Sequence, residues 1–379
     1  MALIVNYENM VKESGEQKMP TDENIKKRGY LVQFDEAVLV TGAAGFLGRQ
    51  VVGALLRMGF SNLKCLVRES SNLAGLNEII DKENGYERCK IVQGDLLRQE
   101  DCYRITEGTK IIYHLAAGTG TKSFSEAYLN SVVTTRNLME ASLKHKCLRR
   151  LVNVSSFAVY TNMNKKTGRL LDETCPVEKS PETRAEAYLY GKVKQDEIII
   201  QYGHERGLPY VILRPGTVYG PGKIFIPGRI GIDSFGPFLH LGGSNPLPLT
   251  YVENCAEAIV LAGLIPGIEN EVINIVDDDL PTSRYFLRRF KREVRSFRSI
   301  YLPKFLSYLF CASWEYFSRW SAGQIPPVFS RREWHAYWKK TYYSNKRLKE
   351  FIGWKQKIST EEGLKLFFHY CRKADRSKT

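Results

Sequence analysis

The stretch Ala37-Val38-Leu39-Val40-Thr41-Gly42-Ala43-Ala44-Gly45-Phe46-Leu47-Gly48 decides the fold. Ala37–Thr41 is an apolar run too short for a helix, and it reads as a buried strand. It ends on a Gly-x-x-Gly-x-x-Gly spacing, after which a helical pattern, Phe46–Met58, starts at once. One glycine permits the turn, a second lets the main chain approach a pyrophosphate, and the helix N-terminus offers unsatisfied N–H groups to phosphate oxygens. Three glycines alone specify only a tight strand-to-helix turn. With the strand before and the helix after, Gly42, Ala44, Gly45, Phe46, Leu47 and Gly48 are predicted to cradle a dinucleotide.

Working outward, short apolar runs recur at Leu63–Val67, Lys90–Val92, Ile111–His114 and Leu151–Val154, with helical patterns such as Tyr128–Lys144 between them. That alternation predicts an α/β fold: a doubly wound parallel Rossmann sheet with a smaller, mainly C-terminal substrate lobe. The expected boundaries are an N-terminal extension at residues 1–35, partly disordered, an NAD(P)-binding domain at 36–215, and a lobe at 216–379. Within that lobe, residues about 250–280 should return to the sheet. The breaker-rich Arg214–Gly222 and Gly236–Pro248 are expected to be loops that wall a substrate pocket.

Charge narrows the partners. The formal net charge is +14, but from Arg284 onward 23 Lys and Arg face 7 Asp and Glu, leaving 32 against 34 before it. The excess belongs to the C-terminal lobe, and with no zinc module or RNA-binding signature, nucleic acid is not an expected partner. Eight scattered cysteines show no zinc-ligand spacing, so no metal is expected and the thiols read as reduced. The N-terminus lacks a signal-peptide apolar stretch, and a cytoplasmic location is expected.

The end of the second strand bears on the cofactor. Arg68 favours the 2′-phosphate of NADP, Glu69 leaves NAD open, and an exposed ion pair is the plain alternative. Asp95, after the third strand, is placed to take an adenine amino group or to cap a turn.

Three features are candidates for chemistry: Val154-Ser155-Ser156, Tyr188-Leu189-Tyr190-Gly191-Lys192, and Asn130. A Tyr and Lys four apart share a helix face. A neighbouring ammonium should pull the phenol down from its usual value of about 10, making Tyr188 a general base or acid. Ser156 would bond the reacting oxygen, and Asn130 would hold a water on the way to Lys192. Tyr190 and Lys194 have the same spacing about 200° around the helix. Gly191, a small residue before Lys192, favours the first pair by letting the helix close on the cofactor.

Together with HLAA (114–117), GDL (94–96), RPGTVYGPG (214–222) and TYVENCAEAIVLA (250–262), these residues resemble the extended short-chain dehydrogenase/reductases, the NAD-dependent epimerase/dehydratase family. The resemblance runs from about Glu36 to Arg372. It implies hydride transfer to or from nicotinamide, a Ser156/Tyr188/Lys192 triad, cofactor contacts that include Leu96, Ala116 and Pro215, and a homodimer through the Asn130 and Tyr188 helices. Thr217 stands where nucleotide-sugar epimerases and dehydratases usually carry asparagine, and the segment looks more like the 3β-hydroxysteroid dehydrogenase branch. A sterol-like or lipid-like small-molecule substrate is therefore expected, with a nucleotide sugar as the alternative. A cofactor-sensing module without turnover is a further reading, against which the intact triad argues.

Residues 284–320 join seven basic residues (Arg284–Arg298) to the aromatic run Ser299–Trp320. The run falls short of the roughly 20 apolar residues a membrane span needs. It suits peripheral contact with a membrane surface, or else a cap on the lobe or an oligomer contact.

Overall fold

The computed structural model describes residues 29–118, 123–163, 168–184, 186–233, 236–321, 324–325 and 329–376. Residues 1–28 of the expected extension lie outside this set. Seven strands, β1 (Val38–Thr41), β2 (Leu63–Val67), β3 (Cys89–Gln93), β4 (Ile111–His114), β5 (Arg150–Val154), β6 (Tyr210–Pro215) and β7 (Glu271–Ile275), form one sheet in the order β7-β6-β5-β4-β1-β2-β3. Every pairing is parallel. The order reverses between β1 and β4, so the crevice at their carboxyl ends is where a ligand fits.

Every residue of β1, β4 and β5 is buried, as strands covered by helices on both faces are. Alternate residues serve opposite layers. Val38, Val40, Ile111 and Tyr113 pack with Val51, Val52 and Leu55 of the Gly48–Arg57 helix and Ile259 of the Val252–Leu264 helix. Leu39, Ile112 and Leu151 pack with Leu138 and Met139 of the Thr134–His145 helix and Ile199 of the Ala187–Arg206 helix. Each such aliphatic side chain contributes roughly 1.5–3 kcal/mol on burial.

Three expectations need correction. Leu31–Phe34, read as part of an extension, pack on the fold: Leu31 N–H reaches the Leu264 carbonyl at 2.9 Å, Val32 is buried, and Phe34 meets Phe60 edge-on. The helix expected at Tyr128–Lys144 is broken by a π-helical turn, Leu129–Val133, between Phe124–Tyr128 and Thr134–His145. A single five-residue π turn is too short for apolar periodicity to reveal. The two breaker-rich segments also carry short strands: Thr217–Tyr219 pairs with Leu249–Tyr251, and Phe238–His240 pairs with Gly231–Ile232 and Ser299–Tyr301. Their β-branched and aromatic residues outweigh the flanking glycines and prolines.

Beyond the sheet, an aromatic core of Tyr219, Tyr251, Phe286, Phe290, Phe367 and Phe368 joins the Leu249–Tyr251 strand to the Ser283–Glu293 and Thr360–Arg376 helices. The eight cysteines form no disulfide. Among the described residues no cluster of His, Cys, Asp and Glu is arranged to hold a metal, and no helix is long and apolar enough to cross a membrane.

Candidate functional site

A cleft of about 930 Å³ opens at the carboxyl ends of the sheet strands. Its floor is the glycine loop, where Gly42, Ala44, Gly45, Phe46, Leu47 and Gly48 all line it. Gly42 sits at φ +68°, a conformation that disfavours side chains, and a Cβ on Gly48 would stand 2.1 Å from the Gly42 carbonyl oxygen. The loop is thereby drawn tight against the helix that follows. Among the described residues, the backbone N–H groups of Phe46 and Leu47 find no acceptor within the protein. Free amide donors at a helix N-terminus suit a pyrophosphate, so the residues present fit a dinucleotide.

Arg68 and Asp95 line the next stretch of wall, with Leu96 and Ala116; Glu69 does not. Asp95 Oδ1 accepts the Leu97 N–H at 2.9 Å, so the carboxylate does turn a loop while its residue faces the cleft. Ser71 and Asn72, which the sequence reading passed over, lie beside Arg68; Ser71 Oγ accepts the Arg68 N–H at 3.0 Å.

Ser156, Tyr188, Lys192, Asn130 and Pro215 complete the same cleft. Tyr190 and Lys194 turn away from it: Tyr190 packs on Phe124 at 5.1 Å and Lys194 pairs with Glu197 at 2.8 Å. Gly191 corrects the reason given for preferring the first pair, because a Cβ there would meet Ser131 Oγ at 2.9 Å and the Ala127 carbonyl at 3.2 Å. Its smallness serves the approach of the Phe124–Val133 helical segment.

Ser156 Oγ accepts the Ala158 N–H at 3.1 Å, which leaves its proton for another partner. Ser155 faces the other way chemically, donating to Asp196 Oδ2 at 2.9 Å. Lys192 is almost fully buried, and its ammonium donates to the Val154 carbonyl at 2.6 Å and to Gln195 Oε1 at 2.9 Å. An ammonium has three protons, so one is left for the cleft. Asn130 Nδ2 donates to the Glu126 carbonyl at 3.1 Å.

The expected lowering of the phenol's pKa is not found. Burial holds Tyr188 above its usual range, and Ser156 pulls the other way without overcoming it. Lys192 is itself pushed down to about 8 by burial, against the pull of Asp196. Its ammonium is turned to Val154 and Gln195 by its two hydrogen bonds.

Behind Lys192 lies a polar layer the sequence reading missed. Asp196 accepts from Asn153 Nδ2 at 3.2 Å and pairs with Arg214 at 3.1 Å, both buried. Its signal was there: polar residues at 192, 195 and 196 share a face of a helix that is otherwise apolar toward the sheet. At the far side, Thr217, Val218, Lys223 and Phe225 close the cleft.

Comparison with known proteins fits this geometry. The model of the NAD dependent epimerase/dehydratase family matches residues 38–275. A trifunctional UDP-glucose 4,6-dehydratase/UDP-4-keto-6-deoxy-D-glucose 3,5-epimerase/UDP-4-keto-L-rhamnose-reductase of Arabidopsis thaliana is 31% identical over 256 residues, 63% of this chain and 36% of that protein. The match thus spans about a third of that relative. Cinnamoyl-CoA reductase 1 of Petunia hybrida is 27% identical over 187 residues, 49% of this chain and 55% of the reductase. The crystal structure of UDP-glucuronic acid 4-epimerase from Bacillus cereus with UDP-glucuronic acid and NAD superposes at a TM-score of 0.66 and 21% identity. It covers 89% of this chain and 99% of that one, a likeness of fold.

Proposed function

The chain belongs to the NAD dependent epimerase/dehydratase family, and on that premise we propose that its cleft transfers a hydride between a nicotinamide cofactor and a secondary alcohol or ketone. The observation that carries this reading is the convergence of Tyr188, Ser156 and Lys192 in one wall of the cleft floored by the glycine loop. When bound, the dinucleotide supplies or takes up the hydride and, in its oxidised form, brings a positive ring charge. Tyr188 gives a proton to the carbonyl oxygen in reduction or takes it from the hydroxyl in oxidation. Ser156 donates its remaining proton to the same oxygen. Lys192 offers its third N–H to a ribose hydroxyl or to a water held beside Asn130. The other cofactor contacts are Leu96, Ala116 and Pro215, with Asp95 toward the adenine. NADP is favoured over NAD because Arg68 lines the cleft and Glu69 does not.

The substrate is read as sterol-like or lipid-like, in the manner of the 3β-hydroxysteroid dehydrogenase branch. Val218 and Phe225 give the far wall an apolar surface, and Thr217 replaces the asparagine usual in nucleotide-sugar enzymes. A nucleotide-sugar 4-epimerase or dehydratase is the second reading. Lys223 in that wall suits a diphosphate, and the Arabidopsis thaliana relative acts on UDP-glucose. The reading includes a homodimer through the helices bearing Asn130 and Tyr188, near which Phe124 and Leu129 are exposed.

Mass spectrometry of the purified protein should find bound dinucleotide, and a screen of sterols and sugar nucleotides separates the two substrates. A dehydrogenase accumulates reduced nicotinamide with free alcohol, whereas an epimerase converts a sugar nucleotide with no net absorbance change. Tyr188→Phe should cut turnover on the order of 10²–10⁴-fold while retaining dinucleotide. Wild-type turnover preserved in that variant would end the reading.

A further inference from the structure

The Lys304–Trp320 helix covers a small cluster of Leu241, Trp334 and Trp338 with one face and leaves a broad apolar face outside. Its buried residues, Ser307, Cys311 and Ser318, share one face by helical geometry. Ser307 Oγ accepts the Trp334 Nε1–H at 2.9 Å, and Ser318 Oγ donates to the Ile325 carbonyl at 2.6 Å. Glu315, next to that face, is held by Arg331 at 3.0 Å. The opposite face carries Phe305, Leu306, Leu309, Tyr316, Phe317 and Trp320, of which Phe305, Tyr316 and Trp320 are 71%, 74% and 72% exposed. Stepping 100° per residue, the helix's three charged residues, Lys304, Glu315 and Arg319, all fall outside this face. An ordinary surface helix turns a charged or polar face to solvent, whereas this one turns an apolar face outward. Ile300 and Tyr301, on the strand that leads into the helix, are also exposed. A patch of this kind marks an interaction site.

We propose that this face rests in the headgroup layer of an anionic bilayer. A 17-residue helix is about 25 Å long, and no described helix is apolar enough to span, so it lies in the plane of the surface. Phe and Leu along the face, with Tyr and Trp toward its end, suit a boundary that is apolar on one side and wet on the other. Charge selects the occupant. Arg284–Arg298 carries seven basic residues against Glu293 alone, and Arg284, Arg288, Arg292, Arg295 and Arg298 are exposed. A second copy would bring the same cationic lobe against itself, whereas anionic lipid neutralises it. This inference stands apart from the identity of the substrate.

The test is sedimentation of the full chain with phosphatidylcholine vesicles, with and without phosphatidylserine. Phosphatidylserine should raise the pelleted fraction roughly tenfold or more, and high salt should reverse this. Phe305→Glu/Trp320→Glu should abolish pelleting with an unchanged Tm, since both side chains are exposed and touch no core. Arg292→Glu/Arg295→Glu should weaken it and leave the apolar face intact. Wild-type protein that stays in the supernatant with every vesicle overturns the proposal. So does a wild-type dimer that Phe305→Glu/Trp320→Glu splits to monomers, as read by light scattering, with no vesicle binding to lose; the face would then belong to a second copy.

Discussion

Gln195 Oε1 holds the ammonium of Lys192 at 2.9 Å from one turn further along the same helix. The amide of Gln195 donates to Thr135 Oγ1 at 2.8 Å, Thr135 meets His114 Nε2 at 2.8 Å, and His114 Nδ1 meets Thr41 Oγ1 at 2.8 Å. Thr41 Oγ1 also accepts the Ala116 N–H at 3.2 Å. A buried chain of polar groups thus runs from the ammonium to the last residue before the glycine loop. Gln195→Leu removes its first link and leaves Thr135 and the ammonium each short of a partner. The expected result is a roughly tenfold fall in kcat with little change in dinucleotide affinity, and a loss of about 1–3 kcal/mol in stability. Steady-state kinetics, cofactor titration and urea unfolding check the three parts separately, and an unchanged kcat would remove Gln195 from the chemistry.

Asp196 is the counter-charge for two buried cations, Arg214 by direct contact and Lys192 by its field. Asp196→Asn keeps the shape and removes the charge. Breaking a buried pair by neutralising one side costs about 3–5 kcal/mol, since the other charge stays buried. Lys192 should then fall further below about 8, because the Asp196 charge that raises it is gone. Any pH limb of activity assigned to Lys192 therefore moves to lower pH in the variant. A limb that stays put, measured on protein shown to be folded, contradicts this coupling.

His114 makes stability depend on acid. Burial pushes its imidazole from 6.5 down to about 3, with the Lys192 charge adding to the effect. The folded protein refuses a proton that the unfolded chain accepts below pH 6.5. Stability is at its full value above pH 6.5 and falls as pH drops toward 3, with about 2 kcal/mol lost by pH 5. Urea unfolding at pH 5 and pH 7.5 should show this difference in the wild type and a smaller one in His114→Gln. Equal pH slopes in the two proteins would refute it.

The glycine loop and the first five strands of the sheet were legible because both rest on local chemistry, whereas Tyr210–Pro215 and Glu271–Ile275 were not read as strands. Leu63–Val67 and Ile111–His114 are apolar runs whose length alone excludes a helix, and their observed bounds match the reading. Ser71 and Asn72 beside Arg68 were not legible, whereas Ser156, Tyr188, Lys192 and Asn130 were, one by one, since each sits at a strand end or on a helix face. Their electrostatics were not. Tyr188 and Lys192 share a face, as spacing requires, yet which acceptor takes the ammonium depends on Val154, 38 residues away in sequence. The outward turn of the apolar face of Lys304–Trp320 was hidden for the same reason. Periodicity shows that a helix has two faces without telling which one the rest of the chain will cover.

Arg68 is the residue on which cofactor choice should turn. It is exposed at the end of β2, in the wall of the cleft, where a 2′-phosphate would meet its guanidinium. A hydrogen bond to a charged group contributes about 1.5–3 kcal/mol, and solvent exposure places this one toward the lower end. Arg68→Asp replaces the attraction with repulsion of a phosphate and offers a carboxylate to free ribose hydroxyls. The ratio of Kd for NADP to Kd for NAD should rise by roughly tenfold or more, and salt should shrink the effect by screening it. Because the side chain lies at the surface, Tm should hold, which separates a change of preference from a damaged site. Fluorescence titration with both dinucleotides decides the matter: a ratio that does not move would place the 2′-phosphate elsewhere in the cleft and withdraw the case for NADP.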